Sequence, residues 1–302
     1  MKRFFAAFCV VPIVVAAVLL SRSTPAVAPA VTPDLQIKQD AVNPWNNLQL
    51  NNDPKTFRFA IVSDNTGGAR SGIFARAVEQ LNILQPEFVM SVGDLIEGYT
   101  TDQASIDRQW KDFNAMIAKL QVPFFYIPGN HDVTNTVMEQ RWKDQFGRLY
   151  YHFKYKDVLF LMLNSEDLPG KQTKGKFGPQ QIAEVKKILT DNKDVRWTLV
   201  FLHKPLWHSK NAAQIGWTDI ETALQGRRFT VFAGHEHKYL REIRNGSKFY
   251  TFATTGGSSN LRGIPFGEFD HIIWVTMKND GPVMANLMME GIFPEDVRVD
   301  KK

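Results

Sequence analysis

Five apolar runs in this chain each stop at side chains able to bind a cation. FAIVSD (59–64) ends in Asp64, FVMSVGD (88–94) in Asp94, and FFYIPGNHD (124–132) in Asn130, His131 and Asp132. TLVFLH (198–203) ends in His203, and TVFAGHEH (230–237) in His235 and His237. Taken singly, a strand-end Asp is an ordinary turn former or cap, and a lone His an ordinary core residue. Taken in order, they constrain the fold. In an open α/β sheet, sites form beyond the carboxyl ends of the strands. Five consecutive core strands would therefore deliver these groups to one rim. Gly93, Gly129 and Gly234 beside them allow sharp turns and close backbone approach. Two carboxylates, three imidazoles and an amide oxygen make a mixed oxygen and nitrogen set suited to Mn, Fe or Zn. Without a cation, Asp64 and Asp94 would repel each other in a partly buried place.

The chain of 302 residues, 44% apolar, is long enough for one large domain. Its formal charge of +5 falls to +2 once Lys2, Arg3 and Arg22 of the first thirty residues are set aside. That surplus, with no basic block interleaved with aromatics, gives no indication of a nucleic-acid partner. Residues 1–30 have a charged start, an apolar stretch from Phe4 to Leu20 and a small-x-small site at Ala28-Pro29-Ala30. They read as an export signal, or alternatively as an uncleaved N-terminal anchor, and provide the only expected membrane contact. The expected location is a bacterial periplasm or the outer face of a membrane. Cys9 is the only cysteine, so the exported part has no disulfide.

Residues 31–55, rich in Pro, Asn and Gln, read as a linker, residues 56–290 as one domain, and 291–302 as a tail. The domain opens with strand–helix units: strands at FRFAIVSD, EFVMSVGD and VPFFYIPGN, each followed by an amphipathic segment. Its second half adds strand pairs at YYHFKYKDVLFLMLNSE, YLREIRNGSKFYTFATTGG and HIIWVTMKNDGPVMANLMME, the last two around Asn-Gly or Asp-Gly. A mixed α/β sandwich with helices outside is expected.

The ordered motifs resemble those of the calcineurin-like metallophosphoesterases, whose signature runs D-x-H, GD, GNH[DE], a strand-end H and GHxH. Asp64, Gly93-Asp94, Gly129-Asn130-His131-Asp132, His203 and Gly234-His235-Glu236-His237 match it. The resemblance implies a four-layer α/β/β/α sandwich with mixed sheets and two divalent or trivalent metal ions bridged by Asp94. It puts Asp64 and His237 on the first ion, and Asn130, His203 and His235 on the second. His131 then meets the substrate and assists the leaving group. Read from its place in the sequence, Asp132 either orients His131 or caps the following helix. The implied activity is hydrolysis of phosphate esters, small phosphorylated molecules among them, by a metal-activated water.

One position departs from the pattern. The family's D-x-H would place His at 66, where this chain has Thr. Either two ions bind and the first is held more loosely, or only the fuller site is filled, or the fold serves as a non-catalytic metal-binding scaffold. The survival of every other ligand favours the first. Arg70, after Gly67-Gly68, is a candidate for a phosphate oxygen, and His208 either reaches the rim or is a surface histidine. A nucleotide phosphodiesterase would share the metal core and need aromatic faces, for which Trp207, Trp217 and Phe266 are candidates.

Overall fold

The computed structural model describes residues 35–167 and 175–292. The expected export signal and most of the expected tail lie outside the described residues. Residues 35–52 carry no helix or strand. No described helix is long and apolar enough to cross a membrane.

The first half alternates as its periodicity demands. Strand β1 (Phe57–Val62) leads to helix α1 (Ile73–Leu84), β2 (Val89–Ser91) to α2 (Gln103–Ile117), and β3 (Phe124–Phe125) to α3 (Thr136–Phe146). Asp102 caps α2 by accepting from Ala104 N at 3.3 Å, and Asn135 caps α3 by accepting from Val137 N and Met138 N. The hairpin β4 (Tyr151–Tyr155) and β5 (Val158–Met162) turns at Lys156–Asp157, both left-handed (φ 45° and 59°). Then come α4 (Pro179–Asp191), β6 (Trp197–Phe201), α5 (Trp217–Ala223), β7 (Phe229–Ala233), and the hairpins β8 (Leu240–Arg244) with β9 (Ser247–Thr251) and β10 (His271–Lys278) with β11 (Gly281–Met288).

Two sheets result. One runs β11-β10-β1-β2-β3 with β1, β2 and β3 parallel. The other runs β4-β5-β6-β7-β9-β8 with β5, β6, β7 and β9 parallel. Their inner faces share a core that includes Phe59, Phe160, Phe201 and Phe232, each fully buried. Burying each such ring contributes about 1.5–3 kcal/mol. Helices α1 to α3 cover the outer face of the first sheet through Val78, Leu81, Trp110 and Trp142, and α4 and α5 that of the second through Val185, Trp217 and Ile220. The order of layers is α/β/β/α, with mixed sheets.

Two details differ from the sequence reading. The five ligand-bearing strands do not lie side by side in one sheet: β1, β2 and β3 belong to the first and β6 and β7 to the second. The third strand is also shorter than VPFFYIPGN. Past Phe125 the Ser91 hydroxyl replaces the ladder, accepting from Ile127 N at 3.0 Å and donating to Phe125 O.

Candidate metal centre

The carboxyl ends of the two sheets converge, and the expected ligands meet there. Asp94, His203 and His235 offer ligand atoms within 4.8 Å of one another, and so do Asp64, Asp94 and His237. Asp94 is common to both groups. The contacts run across the sheets: His203 Nε2 lies 3.1 Å from Asp94 Oδ2 and 3.0 Å from Asn130 Oδ1, and His237 Nε2 lies 3.3 Å from Asp64 Oδ1. Asp64, Asp94 and His203 are buried, while His131 and His237 are half-buried at the mouth. Asp94, His235 and His237 hold left-handed backbone (φ 56°, 73° and 53°). Such strain costs on the order of 1–3 kcal/mol per residue and persists where the surroundings fix it, commonly at functional sites.

Backbone carbonyls orient the rings. His203 Nδ1–H donates to Val92 O at 2.9 Å, His237 Nδ1–H to Ser258 O at 2.7 Å, and His131 Nδ1–H to Glu97 O at 2.7 Å. Each of the three is thereby left with Nε2 toward the centre, the arrangement a metal-binding histidine requires. The carboxylates are fixed too. Asp64 accepts from His235 N at 2.9 Å and from the Ser63 hydroxyl, and Asp94 accepts from His131 N at 2.9 Å.

The electrostatics fit cations. Burial alone would raise Asp64 and Asp94, but the neighbouring imidazoles outweigh it and hold both below the usual carboxylate range, His237 and His203 acting on Asp64 and chiefly His203 on Asp94. Burial alone would lower His203, yet Asp94 beside it pushes it up to about 9. In the absence of metal, then, a proton on His203 supplies positive charge between the acids. The Thr66 hydroxyl is buried here without a hydrogen-bond partner. Oxygen and imidazole donors gathered around a close pair of buried acids match divalent metals.

Other expectations require correction. Asp132 does not orient His131: it is fully buried and accepts from the backbone N–H groups of Asp94, Leu95, Ile96 and Gly129 at 2.8–3.2 Å. Arg70 is not free for phosphate, because both terminal nitrogens grip Asp270 and Nε donates to Gly257 O. The backbone N–H groups of Gly68 and Ala69 are taken by Glu97. His208 sits between Glu236 and Glu242, outside both ligand groups. Trp207 and Trp217 are buried in the outer core and offer no face to a base. Phe266 is exposed but lies under Arg262 at 4.4 Å.

Sequence reasoning missed Ser63 and Tyr99, which hold the candidate ligands Asp64 and Asn130, and Glu97, which holds His131. Only their nearness to the motifs could have drawn attention to them. A polar cavity of about 390 Å³ opens beside His235 and His237, walled by Glu236, Lys238, Ser258 and Asn260.

Residues 57–239 match the calcineurin-like phosphoesterase family. The chain belongs to that family, and with it to the metal-dependent phosphoesterases. Among solved structures it is similar to a dimetal phosphatase from Danio rerio (TM-score 0.62, 16% identity, covering 77% of this chain and 96% of that one). It is similar as well to GAP50, the anchor in the inner membrane complex of Plasmodium (0.58, 16%, 79% and 86%). A third is the purple acid phosphatase PPD1 from seeds of yellow lupin, Lupinus luteus (0.58, 15%, 79% and 52%). At these identities the likeness is one of fold. No curated protein matches the sequence significantly.

Proposed function

We propose that this protein hydrolyses phosphate esters at a dinuclear centre, with the Asp64 side of that centre weakened by Thr66. The observation that carries the reading is Asp94 standing in two ligand groups at once. Asp64, Asp94 and His237 would hold one ion, and Asp94, Asn130, His203 and His235 the other. Bound there, two such ions would activate water and neutralise charge on the phosphoryl oxygens. The chain's own part is positioning and proton transfer. His131, its Nδ1–H tied to Glu97 O, presents Nε2 3.9 Å from Asp94 Oδ2 at the mouth. A proton on that nitrogen would pass to the departing oxygen. The polar cavity beside His237 would receive the rest of the ester.

Turnover of p-nitrophenyl phosphate and bis-p-nitrophenyl phosphate with added Mn²⁺ tests the reading. Metal-dependent hydrolysis that disappears in Asp94→Asn is expected. Metal bound with no turnover of either compound would instead favour a scaffold. That second reading draws support from GAP50, described as an anchor and built on a similar fold. The nucleotide phosphodiesterase reading loses support with Trp207 and Trp217 in the core. Residues 1–30 support export to the periplasm or the outer face of a membrane, which fractionation of expressing cells would test.

A further inference from the structure

Tyr99 is 59% exposed and has left-handed backbone (φ 49°), a costly combination for a bulky side chain. It follows Gly98, also left-handed (φ 58°), where a β-carbon would fall 1.7 Å from His131 O. The chain is thus bent hard against the GNHD loop, and the bend places the phenol. Asn130 Nδ2–H donates to the Tyr99 oxygen at 2.9 Å, and the two rings of Tyr99 and His131 meet edge to face at 4.6 Å. Thr134 ties the same two segments together, accepting from Tyr99 N and donating to Asn130 O.

An asparagine serves a cation only through Oδ1, whereas its NH₂ end repels one. The Asn130 amide therefore has to be held the right way round. Its Oδ1 faces His203 Nε2 at 3.0 Å, and its NH₂ faces Tyr99. A phenol can accept or donate, so with a cation at the oxygen end the amide satisfies both ends only by giving its N–H to Tyr99. We infer that Tyr99 is the positioning residue for Asn130: its oxygen holds the amide so that Oδ1 points into the site formed with Asp94, His203 and His235. This rests on the dinuclear reading above.

The test is a Mn²⁺ titration of the metal-free full-length chain by calorimetry. Tyr99→Phe keeps the ring on His131 and removes the acceptor. One of the two binding phases should weaken roughly 10- to 100-fold, the range for loss of an outer-shell partner, while the other phase stays unchanged. In an Asn130→Asp background the same substitution should have little further effect, because a carboxylate presents oxygen whichever way it turns. Equal weakening in both backgrounds would make Tyr99 a mere structural support and overturn the inference. Wild-type binding by Tyr99→Phe would overturn it as well. If the wild-type chain bound no Mn²⁺ at all, the dinuclear reading would fall and this inference with it.

Discussion

Thr66 is buried, and its hydroxyl makes no hydrogen bond within 3.5 Å, though it lies close enough to the Glu97 carboxylate to help hold it below the usual range. The neighbouring backbone shows how near the centre it lies. A methyl on Gly67 would sit 3.0 Å from His237 Cε1 and 3.4 Å from His131 Nε2. Imidazole is a far better ligand than a neutral hydroxyl, so Thr66→His should tighten the weaker Mn²⁺ phase at least ~10-fold, about 1.4 kcal/mol. The larger side chain should also destabilise the metal-free protein by about 1–3 kcal/mol through overpacking. Metal analysis with calorimetry checks the first part. An unchanged weaker phase would mean that Thr66 or solvent already completes that shell.

Asp132 teaches a different lesson at the same scale. In sequence it was indistinguishable from a catalytic neighbour of His131, because a strand-end acid looks alike whether it faces substrate or backbone. In the fold it gathers four backbone N–H groups and so sets the loops that carry Asp94 and Asn130. Burial and the nearby Asp94 push it up to about 7, against the pull of those N–H donors. Asp132→Ala leaves the donors buried and unpaired, at roughly 1–3 kcal/mol each and less than additively. A loss of at least ~3 kcal/mol in urea unfolding is expected. His131→Ala, in contrast, should leave stability within ~1 kcal/mol and lower turnover by roughly 10²–10⁴-fold. If Asp132→Ala unfolds at the wild-type midpoint, its structural role is wrong.

At the scale of elements, where each apolar run stopped was legible, because burial periodicity ends where the chain turns polar. Which sheet each strand would join was not. β1 to β3 and β6 to β7 carry the same kind of apolar run, and the first sheet is completed by β10, which pairs with β1 from the far end of the chain (Phe57 with Met277). Glycines make the strand ends workable. A β-carbon at Gly129 would fall 2.2 Å from Asp94 Oδ1, and one at Gly234 would fall 2.3 Å from Asp64 Oδ2. Neither glycine has left-handed backbone, so a methyl is opposed there by space alone, at Gly129 by Asp94 N at 2.4 Å as well as by the carboxylate. Gly129→Ala and Gly234→Ala should each displace a carboxylate, weakening Mn²⁺ binding more than ~10-fold at a cost of about 1–3 kcal/mol in stability. Circular dichroism should show the fold retained. Wild-type affinity in either variant would mean that the carboxylate it displaces is not a ligand.

For the sandwich domain as a whole, the candidate ligands are divided between two sheets, so an ion held by them would join the sheets. Asp64, Asp94 and Asn130 follow strands of the first sheet, and His203, His235 and His237 follow strands of the second. No reading of separate runs could show this, since it arises only when the sheets are stacked. One of the cross-sheet contacts, the one between His203 Nε2 and Asp94 Oδ2 at 3.1 Å, depends on the His203 proton. His203 is raised from 6.5 to about 9, so its protonated form is favoured in the folded state. The stabilisation is fully present below pH 6.5 and is lost as pH rises through 9, on the order of 3 kcal/mol at most. The chelated protein should therefore melt at steadily lower temperature from pH 6.5 to 9. Bound metal reverses the trend, because it displaces the His203 proton and so binds more tightly as pH rises. Saturating Mn²⁺ should raise the melting temperature by mass action, and by more at pH 9 than at pH 6.5. Calorimetric scans of chelated and Mn²⁺-loaded protein across that range decide it. Parallel melting curves for the two forms would mean that metal and proton do not compete at His203, and that the two sheets are not joined through it.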